Sequence, residues 1–189
     1  MAELPDGQGD AELLAAIRAG RHDAYQQLCD RYWNAIHRYA TSYLHDEARA
    51  EDVTQETFAK LTDADTLPEG DVRPWLYKVA RNKCLDTLRR WQRSPTHNRN
   101  IRTGFDVARN TAGPRTRMAR DERRELIRQL IDEMPEEYRS VLTLKHFEGM
   151  SRSEMAAVLE ITEIAVKGRL VRASEHLREQ LRRHSGLDL

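Results

Sequence analysis

Apolar residues recur along this chain at intervals of three and four positions, and no run alternates in the manner of a strand. Leu13, Leu14 and Ile17 mark a short first helix that Asp10 can cap and Gly20 can end. From His22 to about Leu44, the residues Tyr25, Leu28, Cys29, Tyr32, Ile36, Tyr39, Ala40 and Tyr43 predict a long second helix that buries one stripe. A third helix opens at Asp46, with Ala50, Val53, Thr54, Thr57, Phe58 and Leu61 inward and Glu51, Asp52, Gln55 and Glu56 outward. Residues 62–70 read as a loop. The fourth helix has Pro74 in its first turn, where a missing N–H costs least. At 100° per residue it gathers Val72, Leu76, Val79, Ala80 and Cys84 on one side and Lys78, Arg81, Asn82 and Arg89 on the other.

Periodicity fades from 93 to about 117, where Ser94-Pro95, Gly104, Asn110, Gly113 and Pro114 break the pattern among scattered arginines, so this stretch reads as a linker. Helical patterning resumes at Asp121 with Leu126, Ile127, Leu130 and Ile131, breaks at Met134-Pro135, and returns with Tyr138, Val141, Leu142 and Leu144. Ser151-Arg152-Ser153-Glu154 has the spacing of a capping box, with Met155, Ala156, Val158 and Leu159 behind it. A turn at residues 160–162 leads into a last helix from 163 to about 183. Two short-spaced helices, the second ending in a basic stretch, read as helix-turn-helix.

Composition supports helices throughout. Of 189 residues, 39% are hydrophobic and 33% charged, with three Phe, nine Gly and six Pro, a balance that suits small helical modules and not a β-sandwich. The net charge is zero, but the charges are segregated. Residues 1–70 hold 6 Lys/Arg against 14 Asp/Glu, and residues 71–120 hold 13 against 3. Residues 121–165 hold 6 against 11, and residues 166–189 hold 6 against 3. Each half of the chain therefore passes from an acidic part to a basic part. The basic parts suit a polyanion and the acidic parts a basic protein surface.

The fourth helix combines the contacts that nucleic acid uses. Cations bind phosphate, Asn82 can read a base edge, and Trp75, Tyr77 or Trp91 can stack on an unpaired base. Trp75 is expected mainly in the core, as indoles usually are. Other chemistries find little support. The seven histidines show no HExxH or other metal-ligand spacing, no Gly-rich phosphate loop is present, and Cys29 and Cys84 form no CxxC pair, so no metal or cofactor is expected. Neither a secretory leader nor an apolar run of membrane length is seen, which predicts a cytoplasmic protein without a membrane span.

The residues 46–58, 75–82, 134–142 and 166–173, taken in that order, resemble a small bacterial sigma factor of the sigma-70 family, extracytoplasmic-function group. The resemblance implies an all-α fold of two small helical domains, a region 2 bundle over 10–92 and a region 4 helix-turn-helix over 121–184. A flexible basic linker over 93–120 would join them, between a disordered start at 1–9 and a tail at 185–189. It implies a non-enzymatic specificity subunit whose partners are core RNA polymerase (beta-prime and beta subunits), promoter DNA and an anti-sigma factor. Glu51, Asp52, Gln55 and Glu56 would meet polymerase. Lys78, Arg81, Lys83, Arg89 and Arg90 would hold phosphate near the minus-ten element, with Asn82 on base or backbone, and the loop 62–70 would help hold a base flipped from the stack. Arg152, Thr162, Glu163, Ala165, Lys167, Arg169 and Arg172 are the minus-thirty-five candidates. The acidic face of the third helix is already present, although Thr54 leaves phosphorylation there open.

The chain departs from the family pattern at Glu160, where a turn glycine is common, at Ile164-Ala165, where Gly-Thr often begins the reading helix, and at Gly168, where Ser is common. These changes leave the fold intact and alter recognition positions. Two other classes compete with this reading. A helix-turn-helix regulator acting on duplex DNA alone leaves the fourth helix and the basic linker unexplained, and a metal- or nucleotide-dependent helical enzyme lacks its ligand motifs.

Overall fold

The computed structural model describes residues 8–93 and 126–185, and among them no strand occurs. The chain divides into two compact units, Met1–Thr103 and Gly104–Leu189. Helices α1 (Asp10–Arg18), α2 (His22–Leu44), α3 (Glu47–Ala59) and α4 (Val72–Arg93) belong to the first unit. The second contains a helical stretch at 126–132 (α5), then α6 (Glu136–His146), α7 (Arg152–Leu159) and α8 (Glu163–Ser185). The expected all-helical architecture is therefore present. The linker expected over 93–120 lies outside the described residues except for Arg93.

In the first unit α2 is the hub, packed on by α1, α3 and α4. Its inner stripe supplies Leu28, Ile36, Tyr39, Ala40 and Tyr43, all buried, as are Leu13 of α1, Phe58 of α3 and Leu76, Tyr77 and Ala80 of α4. Three tyrosine rings meet there: Tyr39 lies 4.9 Å from Tyr43 and 5.1 Å, edge-on, from Tyr77. Such pairs add roughly 0.5–1.5 kcal/mol each beyond the area they bury. Tyr77 thus occupies the core position expected of Trp75, which is only half-buried. The reason is angular. On α4, Tyr77 falls beside Ala80 and Cys84, three and seven residues on, whereas Trp75 falls in line with the exposed Asn82, seven residues on.

Asp10 is the first residue of α1 and does not cap it; Gly9 holds that position without a side-chain bond. The Asp10 carboxylate instead accepts hydrogen bonds from the Tyr32 hydroxyl and the Arg31 guanidinium, pinning the start of α1 to α2. An acidic group in the first turn also complements the helix dipole. Asp46 does cap α3, accepting from the Arg49 N–H at 3.1 Å. Thr54 and Thr57 are fully buried, and each hydroxyl donates at 2.7 Å to a carbonyl one turn back, those of Ala50 and Val53. Phosphorylation of Thr54, left open by the sequence, is closed to the folded unit.

In the second unit α6 and α7 both pack on α8, around Val141, Leu142, Leu144, Met150, Met155, Val158, Val166 and Ala173. The capping box forms as its spacing predicts. The Ser151 hydroxyl accepts from the Glu154 N–H at 3.2 Å, and the Glu154 carboxylate accepts from the Ser151 N–H at 2.8 Å.

Candidate polymerase and nucleic-acid interfaces

α3 presents a polar face because its apolar and threonine positions are consumed by the core. Glu51, Asp52, Gln55 and Glu56 are all exposed, and the Gln55 amide donates to the Glu51 carboxylate at 3.2 Å. Three carboxylates on one solvent-facing side form an anionic surface for a basic partner. Glu56 stands at its border with α4, where it forms an ion pair with Lys83. The sequence assigned these two residues to different surfaces, and the fold joins them. Lys83 falls on the side of α4 that faces α3, near the buried Leu76 and Ala80, rather than on the outward side.

The outward side of α4 carries Lys78, Asn82 and Arg89 together with half-buried Trp75. Arg89 also pairs with Asp86 at 3.1 Å, and both are exposed, so the bond contributes little to stability. Arg81 is half-buried at the edge of this face, and Arg90 is exposed toward the α3 side. Trp91 is engaged by α3: the Arg49 guanidinium lies 4.7 Å from its ring centroid. Of the three aromatics offered by the sequence, only Trp75 shares the outward side with the amide and the cations.

Before α4, the end of the expected third helix tightens into a 3-10 turn, Lys60–Thr62, and the segment 62–70 expected to be a plain loop contains another, Ala64–Thr66. The Thr66 hydroxyl bonds the Lys60 and Asp63 carbonyls at 2.9 and 3.0 Å, while buried Leu61 and Leu67 anchor both ends. Arg18 of α1 donates to the Pro68 carbonyl, tying the loop across the bundle. Sequence spacing could not reveal this tether, because its partners are fifty residues apart.

The second unit sets out its helix-turn-helix through α7, the turn at residues 160–162 and α8. Glu160 takes a left-handed conformation, φ 55° and ψ 43°. Thr162 caps α8, its hydroxyl accepting from the Ala165 N–H at 3.1 Å. Lys167 and Arg172 are exposed, as are Arg152, Thr162 and Glu163; Ala165 and Arg169 are half-buried. Val166 is fully buried and Leu170 half-buried. Sequence reasoning marked Ile164 as a departure without counting it among the candidates; it is 84% exposed and the most exposed large apolar side chain among the described residues. A helical projection centred on Val166 would have found it.

Two family models match the chain: Sigma-70 region 2 over residues 28–94 and Sigma-70, region 4 over residues 124–177. The RNA polymerase sigma-H factor of Pseudomonas aeruginosa is 30% identical over 180 residues, spanning 91% of this chain and 93% of that protein. The chain belongs to the sigma-70 family. Its similarity to the ECF RNA polymerase sigma factor SigM of Mycobacterium tuberculosis, 30% identical over 90% of this chain and 83% of the relative, places it in the extracytoplasmic-function group. As a sigma factor it is a non-enzymatic initiation factor that directs core RNA polymerase to promoters. The solved structure of CnrH in complex with the cytosolic domain of CnrY matches with a TM-score of 0.67 at 28% identity, over 91% of this chain and 96% of that one. The sigma factor RpoE of Bartonella quintana, solved with the anti-sigma factor NepR, shares the fold, with a TM-score of 0.64 at 20% identity over 84% and 96% of the two chains. The region 2 match embraces most of α2 and all of α3 and α4, so the acidic face and the cationic, amide-bearing face both fall inside it.

Proposed function

We propose that this sigma factor divides promoter opening among three faces, each built on a separate helix. The exposed side of α3, with Glu51, Asp52, Gln55 and Glu56, docks on a basic surface of core polymerase, where complementary charge steers encounter and fixes register. The outward side of α4 receives the nontemplate strand of the minus-ten element, with Lys78, Arg81 and Arg89 toward phosphates, Arg90 reaching phosphate from the α3 side, and Asn82 toward a base. Lys83 holds Glu56 on the α3-facing side and stands apart from that strand. α8 enters the major groove of the minus-thirty-five duplex, with Thr162, Glu163, Ala165, Lys167 and Arg169 toward bases and Arg152 and Arg172 toward phosphate.

The observation that carries this reading is α4 itself. One side is core and the other aligns an indole, an amide and cations, which is the equipment for holding a single strand. Residues 10–92 and 121–184 act as the two functional domains, and the basic segment 93–120 links them. The protein works in the cytoplasm, where its polymerase and DNA are. An anti-sigma protein masks its α3 and α4 faces; the likeness to CnrH, solved with a CnrY domain, supports such a partner.

Run-off transcription with purified core polymerase on a promoter library tests the reading. Wild-type chain directs initiation from a defined promoter set, and Asn82→Ala lowers open-complex formation about tenfold while leaving polymerase binding intact. Specific duplex binding by the isolated chain, with no promoter-specific initiation alongside a competent control sigma, would overturn it.

A further inference from the structure

α8 carries an apolar ridge on the side turned away from its own unit. Ile164 is 84% exposed and Val171 51%. Residues 164, 168 and 171 fall in one line at 100° per residue, opposite Val166 and Ala173, which are both fully buried. The buried pair fixes the rotation of the helix, so the ridge faces outward in the folded unit. Between the two apolar side chains lies Gly168, where an added Cβ would meet only the Arg172 guanidinium at 4.0 Å. Nothing among the described residues requires glycine there. Exposed Lys167 flanks the ridge on one side and exposed Arg172 on the other, and Glu175, one turn beyond Val171, ends its apolar stretch.

We propose that this ridge reads thymine. Ile164, the second residue of α8, packs on the 5-methyl group of a thymine in the major groove, and Val171 lies against the groove further along. Gly168 lets the helix axis approach the base edges, Lys167 donates to a neighbouring base on one side of the ridge, and Arg172 reaches phosphate on the other. The inference rests on the assignment of α8 to duplex promoter DNA and specifies what that helix recognises. Thymine is the base that presents a methyl group in the major groove. Ile164 and Val171 are separated by a rise of roughly 10 Å, about three base-pair steps. A helix that fills a protein groove presents a continuous row of apolar anchors at i, i+3, i+4 and i+7. The gap at Gly168 and the two cationic flanks fit a polyanion with isolated methyl groups.

The test replaces each thymine of the minus-thirty-five duplex in turn by uracil, which removes the methyl group and keeps the pairing. Full-length chain with core polymerase is measured on a promoter selected by run-off transcription. With the wild type, uracil at one or two positions weakens promoter binding roughly fourfold, the value of one buried methyl. Ile164→Ala weakens binding to the all-thymine promoter by a similar factor and removes the penalty at the position it read. Its side chain is exposed, so the variant keeps its fold, checked by an unchanged thermal melt. Uracil tolerated at every position, or a penalty that persists unchanged in Ile164→Ala, overturns the inference while leaving promoter-specific initiation standing. A variant that initiates normally yet loses a protein partner marks the ridge as a protein contact and also overturns it. Failure of the wild-type holoenzyme to initiate anywhere refutes the sigma assignment of the faces and this inference together.

Discussion

Replacing Gly168 by alanine separates the stability of the reading helix from its use. Gly168 lies well inside α8, the 23-residue helix Glu163–Ser185, so terminal fraying does not dilute the effect. Alanine is about 0.8–1.0 kcal/mol more favourable than glycine in a helix interior. The new methyl meets nothing closer than the Arg172 guanidinium at 4.0 Å, an ordinary contact, so no repulsion offsets that gain. Gly168→Ala is therefore expected to stabilise the second unit by about 1 kcal/mol, or about 4–8 °C in melting temperature for a unit of 60–100 residues. Urea denaturation followed by far-UV circular dichroism, with an unchanged slope, measures it. On promoter DNA the sign reverses, because the methyl stands in the gap between Ile164 and Val171 and keeps the helix from the groove floor. Binding by the holoenzyme should fall at least severalfold. Unchanged or lower stability would refute the propensity argument, and promoter binding equal to wild type would refute the close approach.

Glu160→Gly is expected to stabilise the same unit by about 0.5–1 kcal/mol in the same assay. The left-handed conformation costs an L-residue roughly 1–2 kcal/mol, and glycine's extra backbone freedom returns about 0.5–1 kcal/mol of that; a clear loss of stability would show that contacts of the Glu160 side chain dominate. Thr54→Glu, which places a carboxylate at a fully buried site, should destabilise the first unit by about 3 kcal/mol or more, whereas Thr54→Val stays near wild type because the Ala50 carbonyl keeps its helical bond; equal melts for the two variants would contradict this burial. Burial raises the Cys29 thiol above its ordinary 9.0, with the Tyr25 hydroxyl bond opposing, and Tyr25 itself is pushed up to about 12, chiefly by burial. The folded state thus holds the thiol proton more tightly than the unfolded chain. Its contribution to stability is full below the ordinary thiol range and is lost as pH rises through the elevated value. Native Cys29 should accordingly alkylate at least tenfold more slowly at pH 8 than in urea, and equal rates would contradict its environment.

Periodicity alone located the helices because each one shows the core a stripe that its own sequence must supply. Ser151 and Glu154 were legible for the same reason, being local partners three residues apart that bond each other as their spacing predicts. What escaped the sequence was contact between elements. The Glu56–Lys83 pair and the Arg18 tether to the Pro68 carbonyl depend on how helices meet, and no spacing encodes that meeting. Trp75 and Tyr77 were a different failure: residue type was allowed to outweigh angle, and the helical projection placed the tyrosine inward and the indole outward.

The departures from the family pattern acquire distinct meanings once their directions are known. Glu160 changes the residue and keeps the left-handed backbone that glycine favours, so the turn is preserved at an energetic cost and its geometry is what matters. Ile164 and Gly168 face away from the core, where neither an isoleucine nor a glycine improves the packing of α8. An exposed isoleucine gives up the burial that most stabilises such a side chain, and an interior glycine weakens its helix. Two adjacent turns of one helix therefore carry choices unfavourable to the isolated fold, on the face that the helix-turn-helix presents. Such local conflicts concentrate where a protein meets its ligand. If α8 docks on promoter DNA as proposed, the altered positions put this chain's promoter preference on the outward ridge of α8, whose orientation the buried Val166 and Ala173 keep fixed.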